Sequence, residues 1–236
     1  MSDQNWTPYR EKMIEELKPL ALTAITQIDG IDIAPAMNLN TAETSGSCTA
    51  YSTDKIEKVA IGSFTVKDDL QCGLCTIIPQ TDSDLPMFVS RWEEKKSEII
   101  LLVDIIPTVD TLVDEEYRVK YVEPLNELWQ KYASLPGICP EENDALRGLC
   151  SIIYTAARVP IEKDGMRLAA LAPQTTYLNR YVEYIGKASS VADDQKIKEI
   201  SRKILSVRTV FGDFFSKCAG EMIGNDSAEL LRTVFF

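Results

Sequence analysis

The chain has 236 residues, 45% hydrophobic and 26% charged, an ordinary globular composition with enough apolar material for a core of normal size. Its formal net charge is -11, which argues against nucleic acid as a partner because phosphate binding needs a basic surface, and weighs against an acidic protein partner unless Lys and Arg gather on one face. It contains no histidine, so Ser-His-Asp and Cys-His catalysis, His-ligated haem and most catalytic zinc sites are excluded.

Any proton donor near neutral pH must then be a carboxylic acid, Cys, Lys, Tyr or water. The N-terminal stretch "MSDQNWTPYREKMIEEL" is polar and then amphipathic, with no secretory apolar region, and no apolar run is long enough to span a bilayer. A cytoplasmic location is the expectation.

Residues 7–28 carry apolar side chains at helical spacing, with Thr7 and Pro8 as N-cap and first-turn proline. Residues 29–46 are rich in Gly, Asn, Thr and Ser and read as a loop. The period then shortens to that of strands, expected at 47–53, 57–66, 70–79, 86–93 and 97–106. Their connections, "STDK", "KDD", "QTDSD" and "EEKK", are short and polar, which favours antiparallel hairpins. The strand "SEIILLVDII" is apolar on both faces, so helices must cover the sheet on both sides. A helix is expected at 113–134, kinked or split at Pro124, then "LPGICPEEND", a strand at 147–158, and helices at 165–187, 193–217 and 226–235. The fold class is α/β, a three-layer α/β/α sandwich around a mainly antiparallel sheet, formed by residues 1–236 as a single domain.

Six cysteines stand at 48, 72, 75, 139, 150 and 218. "CGLC" at 72–75 has the spacing of a redox or metal motif. On a strand, however, residues three apart point to opposite faces, so two thiols of a buried strand is the favoured reading. Asp104, in the middle of "ILLVDIIP", must be hydrogen-bonded or protonated. It is either a proton donor with a raised pKa or a structural acid that bonds backbone N–H groups near Pro107.

"TIIPQTDSDLPMFVSRW" followed by "ILLVDIIP" resembles the ferredoxin-dependent bilin reductases, a superfamily that includes red chlorophyll catabolite reductase. The matching residues are Pro79, Leu85, Pro86, Phe88, Asp104 and Pro107, in order and spacing over residues 74–107. "LCSIIYTAARVP" and the end "LLRTVFF" resemble the family more loosely. The resemblance implies about seven antiparallel strands between helical layers, with a linear tetrapyrrole such as biliverdin lying between the sheet and the C-terminal helices. It also implies that no metal or flavin is bound, and that ferredoxin supplies electrons while buried acids supply protons.

In that comparison the family's key aspartate, three residues after the "LPxF" phenylalanine, falls at Arg91, and a second polar position, His or Asn, falls at Leu74. Arg donates only in its ionised form and Leu not at all, so neither delivers a proton. Asp104 remains as a candidate acid, with Asp194 or its neighbour Asp193 in "ADDQK", which equally suit the N-cap and first turn of the helix at 193. Substrate contacts are expected from Arg91, Phe88 and Leu74, and from Arg158, which resembles a family arginine that meets substrate carboxylates and otherwise ends a strand. Arg91 itself has three readings: a partner for a bilin propionate, an ion pair with a buried acid such as Asp104, or part of a charged edge sharing a face with Glu93. The sequence thus points to a divergent bilin reductase homologue without the usual proton donors, not competent in standard biliverdin reduction. The alternative is an active ferredoxin-dependent reductase using another acid.

Overall fold

A computed structural model describes residues 7–41, 44–66, 70–161 and 165–236, apart from the side chains of residues 7–9 and 222. The expected N-cap at Thr7 and the "KDD" connection at 67–69 lie outside what is described.

Helix α1 (Thr7–Leu17) stops eleven residues short of the expected end. Lys18–Leu20 makes one tight turn containing Pro19, which cannot extend an α-helix, and Ala21 turns left-handed at φ 49°. The chain then runs into β1 (Thr23–Ile25), which pairs with the sheet. The expected loop at 29–46 holds several short elements. A hairpin of β2 (Gln27–Ile28) and β3 (Ile31–Asp32) closes on Asp29 and Gly30, both at positive φ, as a two-residue hairpin turn requires. Then come α2 (Ala34–Met37) and β4 (Leu39–Asn40).

The main sheet adds β5 (Thr44–Ser52), β6 (Ile56–Val66), β7 (Leu70–Pro79), β8 (Met87–Lys95), β9 (Glu98–Ile106) and β10 (Thr155–Pro160). All pairs are antiparallel, in the order β1-β5-β6-β7-β8-β9-β10, with β4 also on β5. The sandwich read from the sequence is therefore present. Thr53 Oγ1 accepts from the N–H groups of Lys55 and Ile56 and so shapes the β5–β6 turn. Between β9 and β10 lie α3 (Glu115–Tyr117), a π-helical turn (Arg118–Val122), α4 (Leu125–Tyr132) and α5 (Asp144–Arg147). Pro124 separates the turn from α4, as a proline without an N–H must. The expected strand at 147–158 begins only at Thr155. Asn143 Oδ1 caps α5 by accepting from Ala145 and Leu146 N–H, so the preceding residues turn instead of extending.

The last helices are α6 (Met166–Lys187), α7 (Asp194–Ile223) and α8 (Asn225–Phe235). Helix α7 runs beyond 217 until Gly224, at φ 84°, breaks it. Helices α1 and α6 cover one face of the sheet and α7 and α8 the other. On the second face Thr76 Oγ1 donates to Phe235 O (2.7 Å) and Lys58 Nζ to Thr233 O (3.0 Å), tying the end of α8 to the strands. Burial pushes the Lys58 ammonium down to about 8. Among the described residues, no helix is long and apolar enough to cross a membrane, and no cluster of His, Cys, Asp or Glu suits a metal ion.

Candidate functional site: the space between the sheet and α7

Strand register decides which candidate residues meet. The row Gly62, Leu74, Arg91, Leu102, Ala156 runs across β6 to β10, each residue directly opposite the next. Residues two along share its face, so Cys72, Glu93, Asp104 and Arg158 also face α7. Phe88 lies three residues from Arg91 and faces the other way. It is fully buried against Tyr181 of α6, ring centroids 5.7 Å apart, on the far side of the sheet from Arg91 and Leu74. Its motif neighbours are clamped structurally: Tyr181 OH donates to Pro86 O (2.8 Å), Thr108 Oγ1 to Leu85 O (3.1 Å), and Asp84 accepts from Tyr121 OH and Ser189 N.

Three cavities lie along α7. A small one of about 70 Å³ is lined by Phe64, Leu74, Val89, Phe211, Phe214, Phe215 and Phe236, with Cys72, Cys218 and Arg91 in its wall. Next to it, sharing Leu70, Arg91, Glu93, Phe214 and Cys218, is a cleft of about 530 Å³ that also takes in Arg158, Glu141, Glu142 and Lys95. That volume is in the range that holds a small-molecule ligand. A third, of about 620 Å³, lies by the first half of α7, between Arg202 and Lys203 on one side and Val109, Leu149 and Ile152 on the other.

Arg91 stands where the first two cavities meet. Its Nη2 lies 3.4 Å from Glu141 Oε2, and its guanidinium lies over the Phe214 ring, 5.1 Å from the centroid. The side chain is only 18% exposed and that of Glu141 8%, so this is not a solvent-facing charged edge. The buried-acid pairing holds, but the acid is Glu141 and not Asp104. Nε and Nη1 of Arg91 are buried without a hydrogen-bond partner.

Asp104 is wholly buried and lines none of the three cavities. Its oxygens accept from Ser151 N (2.7 Å) and Ser151 Oγ (2.5 Å), with further bonds from Ile105 N–H and the Cys150 thiol. Burial raises its carboxyl to about 6, and those bonds hold it from going higher. The backbone donors it satisfies are Ile105, close to Pro107 as expected, and Ser151 across the fold. Asp193 caps α7 by accepting from Lys196 N (2.7 Å), and Asp194 is exposed in the first turn, apart from all three cavities. Arg158 reaches into the cleft and is held by Glu142 through two bonds (3.0 and 2.7 Å) and by Glu98 (3.2 Å). Cys72 and Cys75 are free thiols on opposite faces, as the strand period required. Burial pushes Cys72 up to about 12 and Cys75 higher still.

No protein-family model matches the chain, and no curated protein matches it in sequence. Among solved structures, the crystal structure of selenomethionine phytochromobilin synthase from tomato, in complex with biliverdin, superposes with a TM-score of 0.76. The match covers 98% of this chain and 84% of that one at 16% identity. The chain has the fold of the bilin reductases. A structure of a protein designated PcyX also matches, at 9% identity over 97% of this chain and 95% of that one, with a TM-score of 0.49. Within the bilin reductase fold, the residues that sequence reasoning missed are Glu141, Glu142 and Ser151. All three lie on one loop, and only the charge pair in "PEEND" hinted at them.

Proposed function

We propose that this protein binds a linear tetrapyrrole between its sheet and α7 but does not carry out standard biliverdin reduction. The observation that carries the reading is Arg91: a permanently charged guanidinium, paired with Glu141, stands in the cleft wall at the position where the family resemblance calls for a proton-donating aspartate. Opposite it on β7 is Leu74, which has no proton to give. Transfer of electrons to a tetrapyrrole needs a proton delivered at the reduced carbon, and neither side chain supplies one. The cleft does suit recognition. Apolar walls from Leu70, Ile100 and Phe214 offer surface to a flat pigment, while Arg91 and Arg158 offer fork-shaped donors to its carboxylates. The likeness to a biliverdin complex supports the choice of ligand. The whole chain acts as one unit in this reading, in the cytoplasm.

A second reading, an active reductase fed by ferredoxin, draws on one observation. The Asp104 carboxyl, raised to about 6, exchanges its proton close to neutral pH, and Asp194 would be the other acid. Against it, Asp104 is wholly buried, bonded to Ser151 and outside the cleft lining, and Asp194 lies exposed at the start of α7.

Biliverdin titration tests the binding claim. The long-wavelength band of the pigment is expected to shift and sharpen with a one-to-one end point in the micromolar range, on the order of 8 kcal/mol. Substituting Arg158→Ala is expected to weaken binding about three- to tenfold by removing one carboxylate partner. A pigment spectrum unchanged by excess protein overturns the binding reading.

A further inference from the structure

One loop holds three of the polar residues that face α7. Residues 140–154 leave the sheet beside β10 and return to it, and their ends are pinned together. Cys139 N–H donates to Ala156 O (3.1 Å), Arg158 N–H to Gly137 O (2.9 Å), and Ile138 bridges Ala157. An excursion of this length with closed ends can move as a unit without unpairing the strands that carry it. From inside the loop, Glu141 takes Arg91 of β8, Glu142 takes Arg158 of β10 in a two-bond fork, and Ser151 takes Asp104 of β9. The loop is also braced within itself: Glu141 N–H donates to Tyr154 OH (3.1 Å) and Arg147 reaches Glu141 O (3.4 Å). Glu141 and Glu142 line the cleft of about 530 Å³, whereas Leu149 and Ile152 line the cavity of about 620 Å³. The loop therefore stands between them.

We infer that this loop is an autoinhibitory lid: Glu141 and Glu142 hold Arg91 and Arg158 in the way two carboxylates of a ligand would, and a ligand bearing two carboxylates enters by displacing them. The occupancy is chemically matched. Two adjacent carboxylates on the lid pair with two guanidiniums on strands separated by β9, so a dianionic ligand that bridges β8 and β10 exchanges like for like. A neutral or singly charged ligand cannot satisfy both. Ile152, 87% exposed near the end that returns to β10, gives the lid an apolar edge open to solvent. Leu146, fully buried, is its anchor in the closed state. The inference rests on the proposed ligand class for its second half only; the latch is a property of the free protein.

The test has two arms. In the first, hydrogen–deuterium exchange is followed without ligand in the wild type and in the E141Q/E142Q double variant. The amides of residues 141–154 are expected to exchange about three- to tenfold faster in the variant, with those of β7 to β9 unchanged. Equal exchange in the loop overturns the lid. In the second arm biliverdin is titrated into both proteins. The variant is expected to bind about three- to tenfold more tightly than the wild type, and biliverdin dimethyl ester, which lacks both carboxylates, is expected to show no such gain. Equal or weaker biliverdin binding by the variant overturns the competition. Faster loop exchange together with no biliverdin binding by either protein would leave the latch standing and refute the tetrapyrrole reading and the competition. A mutant that fails to fold is recognised by loss of protection in β7 to β9; Glu142→Gln alone, at the exposed pair, then gives the same readings.

Discussion

Replacing Asp104 by alanine is expected to destabilise the protein by about 2–4 kcal/mol, measured as a lower denaturant midpoint with unchanged slope. The change removes the acceptor for Ser151 N–H and Oγ–H and leaves a hole in a fully buried region of β9. An orphaned buried backbone donor is the larger cost, because water cannot replace the lost partner. Asp104→Asn should behave differently. Its amide oxygen still accepts from Ser151 N–H and its NH₂ can donate to Ser151 Oγ, with no charge to bury. The comparison also fixes a sign. Burial lifts the folded-state value from 3.8 to about 6, so the native state holds this proton more tightly than the unfolded chain. The stability that Asp104 contributes by being protonated is fully present below about 4 and is lost as pH rises through about 6. Asp104→Asn, without that titration, should therefore gain on the wild type between pH 4 and 7, by roughly 2–3 kcal/mol. A difference between the two that stays constant over that range contradicts the assignment of burial as the dominant influence.

Gly137→Ala is the second large effect. Gly137 sits at φ 78°, and a Cβ placed there would lie 1.8 Å from Arg158 O. A left-handed alanine costs about 1–2 kcal/mol, and relieving the overlap means moving backbone against backbone, about 1–3 kcal/mol more. The sum, about 2–5 kcal/mol, should appear in chemical denaturation, and it strikes the point where the lid is pinned to β10. A variant within 1 kcal/mol of the wild type would show that the pinning is loose.

Much of the architecture was legible because period and turn chemistry agreed. Hairpins from β5 to β9, the split at Pro124 and the cap at Asp193 all follow from local rules that the fold did not override. The site was harder to read. The alternation that separates Cys72 from Cys75 also separates Phe88 from Arg91, so the strand rule itself was enough to place Phe88 on the α6 side. The stretch "LCSIIYTAAR" looked like one strand because its apolar run has the composition of one. Its first half turns instead to satisfy the buried Asp104, a partner 47 residues away that no local pattern reveals. The partner of Arg91 was hidden for the same reason. Glu141 is brought to it by the path of a 15-residue excursion, which is set by Gly137, Asn143 and the two ends on β10 rather than by any repeat in the chain.

The central claim is that position 91, where the family resemblance calls for a proton-donating aspartate, holds a guanidinium that delivers no proton. The most direct measurement mixes the biliverdin complex with reduced ferredoxin under anaerobic conditions and follows the pigment spectrum and the extracted products. The wild type is expected to yield no phycobilin, and Arg91→Asp, which puts a carboxyl at the position the family resemblance requires, is expected to yield some. Conversion of biliverdin to a defined phycobilin by the wild-type protein would contradict the account.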